Sequence, residues 1–471
     1  MERTLTGQTP EKKGEKVKLQ GWIATKRDHG KITFLDLRDR EGLVQVVCTP
    51  QTKEVYETAQ NLRSEWVVEV EGIVQERPAG TANPELPTGI FEIAAKKITV
   101  LSEAKTLPFA IDTLGYEIGE EKRLKYRYLD LRRPRLRKNL LIRHKVIQYI
   151  REFLGEQGFI EIETPILTKS TPEGARDFVV PSRLYPGTFY ALPQSPQQYK
   201  QLLQVAGLEW YFQIARCFRD EDPRADRQPE FTQLDIEMSF ASQEEIMDVI
   251  EKLYTQVVKN LFPEKRILES PFPRISYKEA MEKWKSDKPD LRKEPKDPNE
   301  LAFAFVVDFP MFEWKEQEKR WDAVHHPFTR PQTEDIKAMK KDPANVLAFQ
   351  YDLALNGYEV AGGSLRTYRP DLLAGVFELM GNKKEEIPEK FGHLLEAFEY
   401  GVPPHGGIAS GLERFLAVLL GEPNIREVMA FPKTGDSRDL MMQAPSEIDP
   451  QQLKELHIKV ANPSTKLRVK K

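Results

Sequence analysis

Apolar and polar side chains alternate in short runs over residues 17–103: "VKLQGWIATKR", "KITFLDLRDREG", "LVQVVCTP", "WVVEVEGIVQER" and "FEIAAKKITVLS". Period-two alternation places one set of side chains on each face of a strand. Turn residues punctuate the runs at Asp28–Gly30, Arg40–Gly42, Pro78–Gly80 and Pro87–Gly89, and one helical segment, "TKEVYETAQNL", interrupts them. Five strands and one helix in so short a stretch predict a small closed barrel, with an OB-fold ahead of a generic β-sandwich. From Leu140 the pattern turns helical: "LIRHKVIQYIREFLGEQGF" repeats its apolar residues at helix spacing and stops at Gly158. Farther on, "YFQIARCF", "FTQLDIEMSF", "AFAFVVDF" and "YDLALNGYEVAGGSLR" read as strands between helical blocks. The larger part of the chain is therefore expected to be α+β, an antiparallel sheet flanked by helices.

Residues 104–138 have no clean period. Their end, "EKRLKYRYLDLRRPRLRKN", is dense in lysine and arginine, with Tyr126 and Tyr128 interleaved. Such a stretch suits phosphate-backbone contact, and it equally suits a solvated hinge helix. The expected division is a barrel over 1–103, a hinge over 104–138 and an α+β domain over 139–471. The Pro/Lys-rich piece between Pro263 and Glu300 reads as a surface loop.

Composition changes this picture little. The 471 residues are 40% hydrophobic and 30% charged, with a net charge of −3. Any nucleic-acid contact must come from local basic patches rather than a global field. No apolar run reaches the ~18 residues of a membrane span, and the N-terminus lacks the apolar core of a signal peptide. Cys48 and Cys217 stand far apart, which argues against a zinc site or disulfide framework and fits a reducing, cytoplasmic compartment.

Three constellations carry candidate chemistry. In "CFRDEDPRADRQPEFTQLDIE" two strands flank a charged loop. Arg219 ends the first strand, and Asp235 and Glu237 share one face of the second. An arginine there can fork a phosphate, and the carboxylates can hold an ammonium group or a metal. In "YDLALNGYEVAGGSLRTY", Asp352 and Glu359 precede paired glycines and Arg366. Two carboxylates near a phosphate suit Mg²⁺, a hard ion that prefers oxygen. In "PPHGGIASGLERFLAVLL" a glycine-rich strand leads to Arg414 at the start of an apolar helix. Neither a P-loop nor a Rossmann fingerprint is present.

In this order the three resemble the signature motifs of class II aminoacyl-tRNA synthetases, with "GFIEIETP" and Pro165 as the first. A barrel ahead of such a domain is typical of the aspartyl, asparaginyl and lysyl subclass. The finer text, "TPEGARDF", "ALPQSPQQYKQLL", "HHPFT", "NGYEVAGGSLR" and "AFPK", is similar to the bacterial aspartyl enzymes over nearly the whole chain. One departure stands out. Those enzymes usually carry an inserted domain after the second motif, whereas here only "KEPKDPNE" joins the flanking text, a shortened loop at about 286–300.

The resemblance implies an ATP-dependent ligase that forms aspartyl-adenylate and transfers aspartate to tRNA-Asp. It implies catalytic roles for Arg219, Arg414 and Glu359. Aspartate would meet Glu173, Ser195, Gln197, Lys200, Arg219, Asp235, His325 and Arg366, with Lys200 and Arg366 on its side-chain carboxylate. ATP would meet Arg219, Asp220, Glu221, Gln228, Phe231, Glu359, Gly411, Leu412, Glu413 and Arg414, and Asp352 with Glu359 would hold Mg²⁺. The anticodon would meet Arg27, Phe34, Gln45, Arg77 and Glu92, although Phe34 could equally be barrel core. A homodimer is implied. His29 and Gly80 resemble the relaxed form of the family, which also charges tRNA-Asn and relies on a tRNA-dependent amidotransferase; the alternative is an enzyme strict for tRNA-Asp. Two rivals remain from other classes. A barrel-less asparagine synthetase relative conflicts with the barrel, and a non-catalytic RNA-binding protein conflicts with the retained motif arginines.

Overall fold

The computed structural model describes residues 1–171, 174–221, 227–383, 385 and 387–461. The chain divides into two compact units, Met1–Ala110 and Ile111–Lys471.

The first unit is a closed five-stranded barrel. Its strands are β1 (Lys16–His29), β2 (Ile32–Arg38), β3 (Leu43–Cys48), β4 (Val67–Glu76) and β5 (Phe91–Ser102), in the order β1-β2-β3-β5-β4. Helix α1 (Lys53–Asn61) connects β3 to β4. Buried and half-buried positions alternate along β2 and β3. The inward set, including Leu19, Leu35, Leu37, Val44, Val46, Val70 and Ile93, forms the core. Closure leaves no open sheet edge. Phe34 lies between the inward residues Thr33 and Leu35 and is only half-buried, outside that core. It is therefore an outward-facing aromatic and not barrel core.

The second unit is built on an eight-stranded sheet. Its strands are β6 (Ile160–Glu161), β7 (Trp210–Phe218), β8 (Glu230–Ser239), β9 (Arg274–Ser276), β10 (Phe303–Val307), β11 (Gln350–Leu355), β12 (Tyr358–Leu365) and β13 (His405–Gly411). They run in the order β9-β10-β11-β12-β13-β8-β7-β6. The six central strands pair antiparallel, and the two edge strands, β9 and β6, pair parallel with their neighbours. Strand β9 falls inside the stretch expected to be a surface loop. Three residues are too few to show a period, so its place in the sheet is a tertiary effect.

One face of the sheet packs on α4 (Pro134–Glu156), α6 (Gln243–Leu261) and α8 (Leu412–Leu420). Helix α6 begins at a capping box, in which Ser242 accepts from the Glu245 backbone while Glu245 accepts from Ser242. Tyr254 on α6 stacks on Phe415 of α8 at 4.0 Å between ring centroids. Leu234, Ile236 and Met238 of β8 enter this core. The period of two then turns Asp235 and Glu237 to the opposite face. Helices α5 (Gln197–Val205) and α7 (Ile387–Glu399) lie elsewhere in this unit and contact each other.

Residues 111–138 belong to the second unit and are more ordered than a hinge. They form α2 (Glu120–Lys125), α3 (Arg127–Asp130) and the start of α4, which opens at Pro134 rather than at Leu140. Proline is well suited to the first helical position, where its missing N–H leaves no bond unmade. Several of the arginines point inward. Arg123, Arg127 and Arg133 all reach the Asp130 carboxylate, at 3.0, 2.8 and 2.6 Å. Arg123 and Arg135 also share Glu427, each at 2.8 Å. The short loop that replaces the inserted domain is tied down as well. The Lys293 and Glu294 backbone N–H groups donate to Glu300, which also pairs with Arg266 at 2.9 Å.

Candidate active site

Four buried charges on three elements form the floor of the site. Lys200 of α5 donates to Asp235 at 2.6 Å and lies 3.2 Å from Glu237. Arg366, just past β12, grips Glu237 with Nε at 2.9 Å and Nη2 at 3.1 Å. All four residues are at most 2% exposed. Opposite charges so well hydrogen-bonded can be buried; any one of them alone could not. Burial pushes the Glu237 carboxyl up, but Arg366 and Lys200 outweigh it and hold the group at about 2. At Asp235 burial prevails over Lys200 and raises the carboxyl. One Asp235 oxygen, Oδ2, has no hydrogen-bond partner, so this carboxylate retains capacity for a cationic donor.

Small residues make room above these charges. Asp235 and Glu237 lie opposite Ala409 and Gly407 of β13. A Cβ on Gly407 would fall 2.1 Å from Glu237 Oε2, so no larger residue fits there. Two histidines border Arg366. His326 Nε2 accepts from Arg366 Nη1 at 2.7 Å. His325 is exposed and packs against His326, with ring centroids 4.5 Å apart. The strand-face pattern singles out Glu237 beside Asp235 in the sequence, although the residues implied for aspartate do not include it; His326 is not singled out and is signalled only by the doublet "HH".

A cleft of about 240 Å³ adjoins this floor. It is lined by eight of the residues expected around ATP: Arg219, Glu221, Gln228, Phe231, Glu359, Gly411, Glu413 and Arg414. Arg219 places its guanidinium 5.1 Å from the Phe231 ring centre, a cation–π contact. Arg414 donates to the Glu359 backbone carbonyl at 2.7 Å. Gln228 is held by both polar groups of the Lys433 backbone, at 2.7 and 3.0 Å, so it fixes the wall of the cleft. Glu221 pairs with Arg227. Asp220 lies beside Arg176 at 3.6 Å, and the Leu412 side chain is in the core. Neither Asp220 nor Leu412 lines the cleft.

Asp352 and Glu359 converge at Gly362. A Cβ there would stand 2.9 Å from Asp352 Oδ1 and 3.5 Å from Glu359 Oε1, with the His325 ring at 3.4 Å. Burial and the neighbouring Glu359 push Asp352 well above the usual carboxylate range. Two hard oxygen donors that repel one another fit a divalent cation. No cluster of three or more His, Cys, Asp or Glu side chains suited to a metal occurs among the described residues, so phosphate oxygens would have to complete the shell. Ser195 lines a separate cavity, and Gln197 donates to Gln201 at 3.1 Å. Glu173 lies outside the described residues.

Three of the residues expected at the anticodon, Arg27, Gln45 and Glu92, form one hydrogen-bonded row across the barrel. Arg27 donates to Asp36 at 2.9 Å and to Gln45 at 3.4 Å, and Gln45 donates to Glu92 at 2.8 Å. Arg77 donates to the Phe91 carbonyl at 3.2 Å. Phe34 meets the edge of His29, with ring centroids 6.0 Å apart. Gly80 has φ +80°, and open space surrounds its missing side chain.

A sheet of this kind, with an arginine at a hairpin base and another near the start of the helix after a glycine-rich strand, is that of an ATP-using synthetase domain, and in the chain it follows a barrel of the nucleic-acid-binding kind. Residues 119–435 match the tRNA synthetases class II (D, K and N), and residues 17–101 match the OB-fold nucleic acid binding domain. The chain belongs to this class II synthetase family. Its similar relatives include the aspartate–tRNA(Asp/Asn) ligase of Dehalococcoides mccartyi (strain CBDB1), 44% identical over 586 residues, covering 96% of this chain and 98% of that protein. The protein of the same name from Rubrobacter xylanophilus is 45% identical, with 97% and 96% covered. The aligned length of 586 residues exceeds this chain's 471 by 115, so the first of these relatives has at least that many positions without a counterpart here. Among solved structures, asparaginyl-tRNA synthetase from Pyrococcus horikoshii complexed with asparaginyl-adenylate superposes with a TM-score of 0.75 at 27% identity, covering 92% of this chain and 98% of that one. Aspartyl tRNA synthetase from Entamoeba histolytica gives 0.71 at 25% identity. No helix among the described residues is long and apolar enough to cross a membrane.

Proposed function

We propose that this synthetase activates L-aspartate with ATP and charges both tRNA-Asp and tRNA-Asn with it. The observation that carries the reading is the buried pair Lys200 and Arg366, two cations at 1% and 2% exposure beside a cleft that suits ATP. They face the side-chain carboxylate of aspartate, while Asp235, with one oxygen unpaired, receives the ammonium group. Asparagine offers a neutral amide in place of the carboxylate that these cations would hold, a mismatch that discriminates strongly.

The α-carboxylate oxygen of aspartate attacks the α-phosphorus of ATP. A new O–P bond forms, and the bond to pyrophosphate breaks. Arg219 meets the α-phosphate and the attacking carboxylate, Phe231 stacks on adenine, and Arg414 meets the γ-phosphate. Glu173, Ser195, Gln197 and His325 complete the aspartate side. No covalent enzyme intermediate forms, so the residues act by orientation and charge stabilisation. Asp352 and Glu359 would hold Mg²⁺, which when bound neutralises phosphate charge. The 3′ hydroxyl of the terminal ribose then attacks the activated carbonyl, and AMP leaves.

The barrel reads the anticodon through Arg27, Phe34, Gln45, Arg77 and Glu92. His29, stacked edge-on to Phe34, can donate or accept a hydrogen bond, so it tolerates either third base. The open space around Gly80 leaves that loop unobstructed. A tRNA-dependent amidotransferase would then convert Asp-tRNA-Asn, in the cytoplasm where both substrates occur. Aspartate-dependent pyrophosphate exchange tests the first step. Exchange with aspartate and little with asparagine or lysine is expected; exchange with asparagine alone would refute the reading.

The enzyme is also proposed to be a homodimer. Ile160 on edge strand β6, then Leu167, Val179, Leu184 and Phe189, are 49–69% exposed. Apolar side chains in such number mark an interface more often than a free surface. Light scattering at micromolar concentration should give twice the 54.4 kDa chain mass; the mass of one chain would contradict it.

A further inference from the structure

Strand register lays two rows of residues across the floor of the site. Asp235, Ala409, Gly362 and Asp352 lie opposite one another in turn on β8, β13, β12 and β11. Glu237, Gly407, Ser364 and Gln350 form the row beside it. The small residues in the middle leave a trough. The buried charges that suit aspartate stand at one end, and Asp352 stands at the other, three strand spacings or roughly 14 Å away. Gln350 shares its strand face with Asp352, because the strand period is two. It is polar, yet only 3% exposed.

The Gln350 amide is spent on Asp352. Its Nε2 lies 3.2 Å from Oδ2 and 3.4 Å from Oδ1, so one donor straddles both carboxylate oxygens. Asp352 needs such a donor. Burial, then Glu359, and also the exposed Asp287 disfavour its charged form, and Gln350 opposes them. A hydrogen bond to an ionised acceptor is roughly twice as strong as a neutral one. The residue type suits the task. A carboxylate at position 350 would add a third charge that repels Asp352 and Glu359, and an aliphatic side chain would offer no donor. A neutral amide supports the charge without competing for it.

We propose that Gln350 is a positioning residue of the ATP-dependent step: it holds the Asp352 carboxylate ionised and oriented, so that Asp352 and Glu359 together take a divalent cation. The proposal rests on the ATP-dependent reading of the site and deepens it. Gln350 touches no substrate and acts only through Asp352. Groups that hydrogen-bond a metal-binding carboxylate typically change metal affinity by about 10–100-fold, and Gln350 is placed to do so from a rigid central strand, β11.

The test measures metal binding apart from turnover in the full-length enzyme. Mn²⁺ is the probe, its bound fraction read by electron paramagnetic resonance in the presence of α,β-methylene-ATP, which cannot form the adenylate. Gln350→Met keeps the shape and removes the donor, and should weaken enzyme-bound Mn²⁺ by about tenfold. Gln350→Asn keeps a buried amide but shortens its reach, and should show the same shift, which tells a lost contact from a disturbed core. In pyrophosphate exchange the Mg²⁺ concentration for half-maximal rate should rise by a like factor, and excess Mg²⁺ should restore the rate to within about threefold of wild type. Adding Gln350→Met to Asp352→Asn should weaken Mn²⁺ little beyond Asp352→Asn alone, since one contact cannot be lost twice. Unchanged Mn²⁺ affinity in both Gln350 variants would overturn the proposal. So would a loss of exchange that excess Mg²⁺ leaves in place, or independent losses in the double variant. Absence of aspartate exchange in wild type would instead remove the reading beneath it.

Discussion

Replacing Arg366 by leucine is expected to lower kcat/KM for aspartate by two to three orders of magnitude and leave ATP affinity nearly unchanged. Arg366 is 2% exposed, and its guanidinium is shared among Glu237, Ser364 and His326. In the proposed complex it also meets the substrate carboxylate. Removing one partner of a desolvated charge pair costs roughly 2–5 kcal/mol. Lys200→Leu should behave alike, because Lys200 also pairs with Glu237, and with Asp235 besides. Neither residue lines the ATP cleft. Arg366→Lys separates charge from geometry: it keeps a cation but loses the fork, and should recover part of the activity. Titration with ATP, alongside exchange rates at varied aspartate, checks this. An equal loss of ATP affinity in both leucine variants would refute the assignment.

Asp130→Ala is expected to cost about 3–5 kcal/mol of stability, the range for breaking a buried ion pair from one side. Its carboxylate is fully buried and serves Arg123, Arg127 and Arg133 together. Arg123 would keep Glu427, and Arg133 would keep the Thr113 carbonyl. Arg127 would keep only backbone carbonyls, those of Ala430, Arg426 and Met429. Two of these lie close after the helix that Arg414 opens, so the ATP cleft should loosen along with the fold. Denaturant unfolding of the full chain measures the loss. A change below about 1 kcal/mol would show that the three arginines find other partners.

The same cluster shows where sequence stops being informative. Arginines in residues 122–138 invite a surface role: Asp130 lies within the stretch, but Glu422 and Glu427, the other acidic partners of Arg123 and Arg135, lie some 300 positions away. No local period can announce such a partner. Alternation served better where strands were long. It placed Asp235 and Glu237 on one face of β8, opposite Leu234 and Ile236, and it anticipated the barrel strands. It failed at β9, whose three residues are held by their neighbour rather than by their own pattern. Motif order brought Arg219, Phe231, Glu359 and Arg414 to one cleft, yet the grip of Arg366 on Glu237 spans 129 positions and needed the fold to be seen. Gln228 was legible as a cleft residue, but its hold on the Lys433 backbone was not.

The central claim is that one active site charges two tRNAs with aspartate, and aminoacylation of purified tRNA-Asn with labelled aspartate tests it most directly. The two anticodons differ only at the third base, so any discrimination must arise in the barrel near His29 and Gly80. In the proposed complex the imidazole beside Phe34 would accept either base, and the loop at Gly80 presents no side chain to reject one. Charging of tRNA-Asn is predicted within about tenfold of tRNA-Asp, a difference of roughly 1.4 kcal/mol or less. A gap of about a thousandfold, roughly 4 kcal/mol, would contradict the account and leave an enzyme strict for tRNA-Asp.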